Sequence, residues 1–346
     1  RMSKSQAVDT MTIEDLFAEA YPNGFSKDNV KYIERSNAEV ASINYTSGTT
    51  GFSKGVITPA NALAGNILFG FKTGLVYPGC RHVAFLPLAH AYGCAFDFLA
   101  CLAAGGHTHL IGRTPSPKIL MKAFAEVKPT LILSVPLILE KIYKKMIQPQ
   151  ISRTAVSWVL KMPLLDKVVL NKIRETLVNA FGGEFSEIII GGAPLNAEVE
   201  AFLKRLKFPL TVGYGMTETA PLISFAHWDK FKSQSCGQVL DGLMEVRIAS
   251  PDGDGVGEIQ VRGEHVMLGY YKNEQATKES FTEDGWLRTG DLGYMDKKQN
   301  IFIRGRIKSM FLGASGQNIY PEEIEDKLNN QQGVAESVVV EREGKL

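Results

Sequence analysis

The chain has 346 residues, of which 45% are hydrophobic and 22% charged, so it can bury a sizeable core and is expected to form two or more subdomains. Its 38 Lys and Arg residues balance 37 Asp and Glu residues, and a formal charge of +1 argues against a nucleic-acid partner. The four cysteines show no metal-ligand or redox-pair spacing. No apolar run reaches the roughly 20 residues that span a bilayer, and the N-terminus does not resemble a signal peptide. These features predict a cytoplasmic protein.

The segment from Thr46 to Gly55 carries the first chemical signal, and it follows a run, Val40 to Tyr45, that predicts a strand. Backbone N–H groups can converge on an anion where a strand ends in a glycine-rich loop. The spacing departs from the Walker pattern, because Lys54 precedes a glycine instead of following one, and this disfavours a GTPase or ATPase motor. Taken alone, the segment is also compatible with a solvated turn. The residues suited to bind polyphosphate are Thr46, Ser47, Thr49, Thr50 and Lys54.

A second glycine-rich loop, Gly213 to Thr219, follows the apolar run Phe208 to Val212 in the same order of strand and loop. An aromatic ring between two glycines, here Tyr214, can lie flat against a purine base. The carboxylate of Glu218, one residue after the hydroxyl of Thr217, can bind a hard cation that bridges phosphates. A tight turn with a core tyrosine and an exposed glutamate is the alternative when this loop is taken alone.

Together with further segments that occur in the family's order, both loops resemble the adenylate-forming superfamily of acyl- and aryl-CoA synthetases, luciferases and peptide-synthetase adenylation domains. The resemblance runs from about Ala38 to about Val340, and the Thr-Gly-Asp sequence ending at Asp291 is among its most specific parts. The run Ser315 to Glu325 is most similar to the long-chain fatty acyl-CoA ligase branch. The further segments are Gly191 to Leu195, Arg288 to Gly293 and Ile303 to Lys308.

The resemblance implies roles for matching residues around the phosphates. Thr217 would contact the α-phosphate, while Glu218 and Thr46 would bind Mg²⁺. The β- and γ-phosphates would be held by Thr46, Ser47, Gly48, Thr49, Thr50 and Lys54.

It also implies the residues around the nucleoside. Asp291 would accept both ribose hydroxyls, a task that suits an ionised carboxylate because it only accepts hydrogen bonds. Arg306 would add a charge-assisted contact near the ribose. The adenine slot would be lined by Gly192, Ala193, Gly213, Tyr214 and Gly215.

His90 and Lys308 receive roles from the resemblance alone. The run Pro87 to Gly93 resembles a family segment that lies beside the acyl carboxylate, which implies His90 as the contacting residue. On side-chain chemistry alone, a packed core histidine is favoured. Lys308 matches the family's hinge between a large N-terminal and a small C-terminal domain, whereas composition alone predicts an ordinary exposed lysine.

The fold that the resemblance implies is a multi-subdomain α/β structure of mixed sheets flanked by helices. The predicted parts are 1–244, the α/β part of the large domain; 245–307, a β-rich subdomain; and 308–346, the hinge and the start of a small α+β domain. Alternating strands and turns from Glu245 onward favour the β-rich part. A helix after Pro321 and a strand over Ala335 to Val340 are predicted to follow.

The implied reaction uses ATP, Mg²⁺ and CoA to convert a fatty acid, expected to be long-chain, into an acyl-AMP and then an acyl-CoA. Two alternatives stay open: another adenylate-former, which activates an aryl or amino acid or loads a carrier protein, and a nucleotide-binding fragment without complete catalysis. The family's adenylation lysine lies far beyond the hinge, and only 38 residues follow Lys308, so the chain is expected to be part of a longer protein. Acyl chain length and oligomeric state stay undetermined.

The stretch from Lys141 to Lys172 mixes basic and large apolar residues. Such a stretch can contact a membrane surface, where fatty acids partition, or form an amphipathic helix packed on the core. The second interpretation is favoured.

Overall fold

The computed structural model describes residues 12–30, 34–46, 53–112, 115–151, 158–159, 162, 165–312, 318–331, 333–334 and 336–340. Internal contacts divide the chain into two compact units, Arg1–Ser36 and Asn37–Leu346. In the first unit, helix α1 (Ile13–Ala20) begins at a capping box in which the side chains of Thr12 and Asp15 each accept the other residue's backbone N–H.

The second unit begins with an antiparallel sheet at the base of the first glycine-rich loop. Strand β1 (Val40–Thr46) pairs with β2 (Lys54–Pro59), and β13 (Gly269–Tyr270) pairs with the other edge of β2. The predicted first strand is therefore confirmed. Helix α2 (Ala60–Lys72) follows β2 directly.

A three-stranded parallel sheet lies at the centre of the α/β part, and every residue of its strands β5 (Ile132–Ser134), β6 (Ile188–Ile190) and β7 (Leu210–Val212) is buried. Strands that are buried along their whole length are typical of parallel sheets covered by helices. A parallel pair, β3 (Arg81–Ala84) and β4 (His107–Leu110), is joined by a helical connection. The helical segments of this part are a π-helix (Gly93–Ala100), α3 (Cys101–Ala103), α4 (Pro117–Val127), α5 (Pro136–Met146), α6 (Gln148–Ile151), α7 (Leu165–Ala180) and α8 (Ala197–Arg205).

The described residues of the basic and apolar stretch after Lys141 are mostly helical, with a turn at Ile147 and a bend at Met162. Its residues Ile142, Ile147 and Leu170 are buried in the core, as the favoured interpretation requires, whereas Trp158 is 65% exposed. Contact with a membrane surface stays a prediction. Among the described residues, no helix combines the length and apolar character needed to cross a membrane.

The chain from Met244 forms a four-stranded antiparallel sheet, which agrees with the β-rich structure that the sequence predicts from Glu245. Its strands lie in the order β11 (Met244–Ala249), β12 (Gly257–Gly263), β14 (Leu287–Met295) and β15 (Ile301–Arg306). The mixed α/β fold of several sheets and helices is thus confirmed, while the boundaries after 244 and 307 stay predictions. The smaller elements are β8 (Tyr214–Gly215), β9 (Leu222–Phe225), β10 (Gln238–Val239) and α9 (Glu274–Ser280).

The last described elements are the short antiparallel pair β16 (Phe311–Leu312) and β17 (Asn318–Ile319), and helix α10 (Pro321–Asn329). The helix predicted after Pro321 is confirmed. The strand predicted over Ala335 to Val340 is wrong for its described residues, 336–340, which form no strand. A strand needs a partner for its backbone, and the N–H of Val339 is instead bonded at 2.8 Å to the carboxylate of Glu325.

Candidate active site

Two of the predicted nucleotide-binding loops leave the same edge of the parallel sheet. Ile190 at the end of β6 is paired with Val212 at the end of β7, and the N–H of Gly213 donates a 2.9 Å hydrogen bond to the carbonyl of Ile190. Gly192 and Ala193 follow β6 and are exposed. Ligands of open α/β sheets bind in the crevice outside the carboxyl ends of parallel strands. The structure therefore brings the predicted adenine-slot residues to the edge where a ligand is expected.

Gly215 is required by its neighbours in the second loop. A Cβ atom at this position would overlap the backbone carbonyl of Pro221. Backbone cannot move aside as a flexible side chain can, so the close return of the chain at Pro221 excludes any larger residue. The glycine after Tyr214 thus lets the loop fold back toward β9.

Tyr214, Asp291 and Arg306 form one polar cluster, as the predicted nucleoside site requires. The Tyr214 hydroxyl donates to Oδ2 of Asp291 at 2.7 Å, and Nε of Arg306 lies 3.1 Å from Oδ1. Asp291 and Arg306 are direct cross-strand partners in β14 and β15, a position in which opposite charges attract. The Asp291 side chain is 8% exposed and that of Arg306 is 61% exposed, so a buried carboxylate lies beside a solvent-facing guanidinium.

Burial dominates the titration of this cluster. It raises the pKa of Asp291 above its ordinary value, although Tyr214 and Arg306 both act in the opposite direction. The pKa of Tyr214 is also raised, first by burial and then by the negative charge of Asp291. Tyr214 is therefore a neutral hydrogen-bond donor at physiological pH.

A second polar cluster contains Glu218, Tyr270 and Lys54. The hydroxyl of Tyr270 donates to Oε1 of Glu218 at 2.8 Å, and the Lys54 ammonium lies 4.7 Å from the centre of the Tyr270 ring, within cation–π range. Glu218 is 8% exposed and lies with Thr217 in a 3₁₀ turn. The backbone carbonyl of Glu218 accepts a 2.8 Å hydrogen bond from the N–H of Met267. Burial, with the charge of Glu218, raises the pKa of Tyr270, so its hydroxyl stays protonated.

Sheet pairing explains why this second cluster forms. Lys54 opens β2 and is paired with Thr46 at the end of β1, where the Thr46 hydroxyl lies 3.5 Å from the carbonyl of Lys54. β13 pairs with β2 and carries Tyr270 past the same region. Three segments distant in the sequence thus converge at the base of the first loop. Ser47, Gly48, Thr49 and Thr50 lie outside the described residues.

His90 lies on an exposed turn between these loops, not in a packed core environment. The side chain of Asn44 in β1 donates to the carbonyl of Ala89 at 3.1 Å, and the Tyr92 hydroxyl donates to the carbonyl of Ile189 in β6 at 3.0 Å. The His90 turn is therefore attached on one side to the strand before the first loop and on the other to the strand before Gly192.

Lys308 is exposed in the turn that follows β15. The carbonyl of Gly290, one residue before Asp291, accepts the N–H of Ile307 at 2.9 Å, so the start of this turn is bonded to the strand that carries the ribose candidate. The hinge role of Lys308 stays a prediction.

Tyr270 is the site residue that sequence reasoning missed. Its signal is weak: the sequence shows only two tyrosines after Gly269, and the first becomes important because β13 pairs with β2. Glu218 provides carboxylate oxygen, the ligand type that Mg²⁺ prefers. The Tyr270 bond uses one acceptor position of about four on a carboxylate. The donor set therefore fits a divalent cation, and the Asp291 cluster fits a nucleoside.

Comparisons with known proteins identify the family of the chain. The profile of the AMP-binding enzyme family matches residues 2–271. Long-chain-fatty-acid–CoA ligase FadD15 of Mycobacterium bovis is 33% identical over 330 residues, which cover 88% of this chain and 52% of the relative. Long-chain-fatty-acid–CoA ligase ACSBG2 of Gallus gallus is 31% identical over 311 residues, covering 82% and 40%.

The chain is also similar to solved structures. ATP-bound MatB from Rhodopseudomonas palustris superposes with a TM-score of 0.71 at 27% identity, covering 89% of this chain and 56% of that one. O-succinylbenzoate Coenzyme A Synthetase (MenE) from Bacillus subtilis, in complex with ATP and magnesium ion, superposes with a TM-score of 0.70 at 27% identity, covering 92% and 62%. The chain spans about half the length of the curated relatives it matches. The resemblance found in the sequence is confirmed: the chain belongs to the AMP-binding enzyme family.

Proposed function

We propose that the whole protein activates a long-chain fatty acid with ATP and transfers the acyl group to CoA, and that this chain holds the nucleotide. The observation that carries the proposal is the Tyr214–Asp291–Arg306 cluster, in which the buried carboxylate of Asp291 is bonded to the tyrosine of the second glycine-rich loop. The long-chain preference is supported by the names of the curated relatives, which are long-chain-fatty-acid–CoA ligases.

The nucleoside part of the proposal follows from the number of hydrogen-bond acceptor positions on the Asp291 carboxylate. Each oxygen of Asp291 has one partner, Tyr214 on Oδ2 and Arg306 on Oδ1. An ionised carboxylate has about four acceptor positions, so one position on each oxygen is left for the two ribose hydroxyls. The Tyr214 hydroxyl fixes its ring between Gly213 and Gly215; the ring is 7% exposed and packs in the core, so Tyr214 would support the adenine site chiefly by orienting Asp291.

In the first half-reaction, an oxygen of the fatty carboxylate attacks the α-phosphorus of ATP. The new P–O bond forms as the bond from the α-phosphorus to the bridging oxygen breaks, and pyrophosphate leaves with the electron pair. The residues that would oppose the negative charge are Lys54, by its ammonium, and the hydroxyls of the first loop. A magnesium ion held by Glu218 and Thr46 would supply further neutralisation of the phosphates.

In the second half-reaction, the sulfur of CoA attacks the acyl carbon of the acyl-AMP. A C–S bond forms, the C–O bond to AMP breaks, AMP leaves with the electron pair, and the thiol proton is released. The chain's own contribution is to hold the AMP through Asp291 and Tyr214 while the acyl carbon, which we place near His90, faces the incoming thiol.

The experiment is ATP–pyrophosphate exchange by the whole protein with a panel of fatty, aromatic and amino acids, followed by acyl transfer to CoA and to a carrier protein. We expect exchange with long-chain fatty acids and transfer to CoA. Exchange only with aromatic or amino acids, or transfer only to a carrier protein, would replace the substrate part of the proposal. ATP binding without exchange for any acid would show that the protein binds the nucleotide but does not activate an acid.

A further inference from the structure

A buried cluster of side chains lies outside the proposed nucleotide site, at the junction of β3 with the helical segment that follows His90. Cys80 directly precedes β3 and His82 lies in it, and both side chains are fully buried. Asp97 and Cys101 are four residues apart in the helical segment and share one face of it. The two pairs of residues meet, and all four are at most 1% exposed.

Three donors in this cluster lie close enough to bind one ion. The Sγ atoms of Cys80 and Cys101 are 3.8 Å apart, and one ligand atom from each of Cys80, His82 and Cys101 lies within 4.8 Å of the other two. Two thiolates on a tetrahedral zinc, each at about 2.3 Å, are separated by about 3.8 Å. The sulfur separation is therefore the one that a zinc ion requires.

An independent observation shows that the cluster lacks a partner. Neither ring nitrogen of His82 and neither carboxylate oxygen of Asp97 has a hydrogen-bond partner among the described residues. Nδ1 of His82 is 3.5 Å from Oδ1 of Asp97, a distance that is longer than an ordinary hydrogen bond but within the range of an ion pair. Nε2 of His82 is therefore left without a hydrogen bond or ion pair in the described structure, and because buried polar groups in proteins are nearly always bonded, it is the atom that a missing ligand would satisfy.

We propose that Cys80, His82 and Cys101 bind one Zn²⁺, with Asp97 as the residue that orients the imidazole. With Nδ1 directed toward Asp97, Nε2 is the nitrogen available to the metal, and metal-bound histidines commonly have such a carboxylate behind them. Two thiolates and one imidazole suit zinc, and the two thiolate charges neutralise the ion within the core. The linear spacing of the cysteines does not reveal this set, because Cys101 comes from another element.

The backbone fixes both sulfurs from one side. A Cβ atom at Gly106 would lie 2.5 Å from Sγ of Cys80 and 2.8 Å from Sγ of Cys101. The carbonyls of the same cysteines accept N–H groups from His107 and Gly106, at 2.7 and 2.8 Å. A zinc ion bound to Cys80, His82 and Cys101 would hold the helical segment after His90 against β3, with one position of its tetrahedron left for a fourth ligand. This role is independent of the proposed acyl activation.

The test is zinc binding by the whole protein after chelator treatment under reducing conditions, with metal content measured by mass spectrometry and the site reported by visible absorption of the Co²⁺ form. We expect one Zn²⁺ per chain, thiolate-to-cobalt absorption bands, and retention of both properties in the matched control Cys94→Ser. Cys80→Ser and Cys101→Ser should lose stoichiometric binding, and Asp97→Asn should weaken it about 10- to 100-fold.

A second measurement uses the unmodified protein, so that the proposal can still be tested if the cysteine variants do not fold. In the unmodified protein, zinc should protect Cys80 and Cys101, but not Cys94, from alkylation during partial unfolding. The proposal is overturned by absence of stoichiometric zinc, by equal binding in Cys80→Ser and Cys94→Ser, or by a mass lower by two hydrogens that shows Cys80 and Cys101 joined as a disulfide in the protein as isolated from cells.

Discussion

The Tyr214 hydroxyl donates a 2.7 Å hydrogen bond to Asp291 across 77 positions of sequence. Tyr214 directly follows the parallel sheet, whereas Asp291 belongs to the four-stranded antiparallel sheet. The bond therefore joins the α/β and β-rich parts of the second unit at the proposed nucleoside site. A change at either residue is expected to affect both ligand affinity and stability.

Asp291→Asn should stabilise the ligand-free protein at neutral pH. Burial raises the pKa of Asp291 above its unfolded value, so the favourable contribution of the protonated group is complete below about pH 4 and is lost as the pH rises through the folded pKa. Asn has nearly the same shape and carries no charge. Thermal unfolding should show a higher midpoint for the variant at pH 7 and a smaller difference near pH 4.

Asp284 is the control, because its pKa is shifted in the opposite direction from that of Asp291. The Arg247 guanidinium bonded to Asp284 holds the pKa of that carboxyl well below its usual range, so its stabilisation is present at neutral pH and is lost as the pH falls. Asp284→Asn should therefore not stabilise at pH 7. A gain from Asp291→Asn that is equal at both pH values would contradict the burial argument.

Glu218→Gln should lower the rate of ATP–pyrophosphate exchange roughly 100-fold and raise the Mg²⁺ concentration needed for half-maximal rate. The amide can still accept from the Tyr270 hydroxyl, so the change removes charge and leaves the hydrogen bond. Exchange is measured over a Mg²⁺ titration, with Glu264→Gln, an exposed glutamate, as the control. An unaltered Mg²⁺ dependence would exclude Glu218 as a metal ligand.

Tyr270→Phe should reduce exchange about tenfold, because the buried Glu218 loses its 2.8 Å donor while Lys54 keeps an aromatic ring beneath it. The matched control is Tyr271→Phe, the next residue, whose side chain is partly exposed. Steady-state kinetics of both variants provide the comparison. Equal rates for the two would show that Tyr270 does not position Glu218.

Gly215→Ala should destabilise the protein by about 1 to 3 kcal/mol, because the new Cβ would overlap the carbonyl of Pro221. Gly253→Ala is the control, since a Cβ there meets no atom within 4 Å. Denaturant unfolding gives the free energy of each variant. If both alanines have the same effect, the close return of the chain at Pro221 is not what constrains this loop.

Local signals were enough to predict the loop that carries Tyr214 and the helix after Pro321. A glycine-rich loop after an apolar run marks a strand end, so Tyr214 could be assigned before its partners were known, and the helix after Pro321 followed from proline and acidic residues in its first turn. The resemblance then supplied Asp291, for which no local pattern predicts contact with Tyr214.

Features that depend on pairing between distant segments could not be predicted. Tyr270 reaches Glu218 only because β13 pairs with β2, and Cys101 meets Cys80 only because a helix packs on β3. The predicted strand over Ala335 to Val340 failed for the same reason, since an apolar run specifies a strand only where another strand is available to pair with it.

The central claim is that Asp291 binds the nucleotide, and calorimetric titration of ATP into the unmodified protein and Asp291→Ala tests it most directly. Loss of both ribose hydrogen bonds predicts a weaker binding free energy by on the order of 1 to 3 kcal/mol. An ATP affinity that is unchanged in Asp291→Ala would contradict the claim and remove the basis for placing the nucleoside between Tyr214 and Arg306.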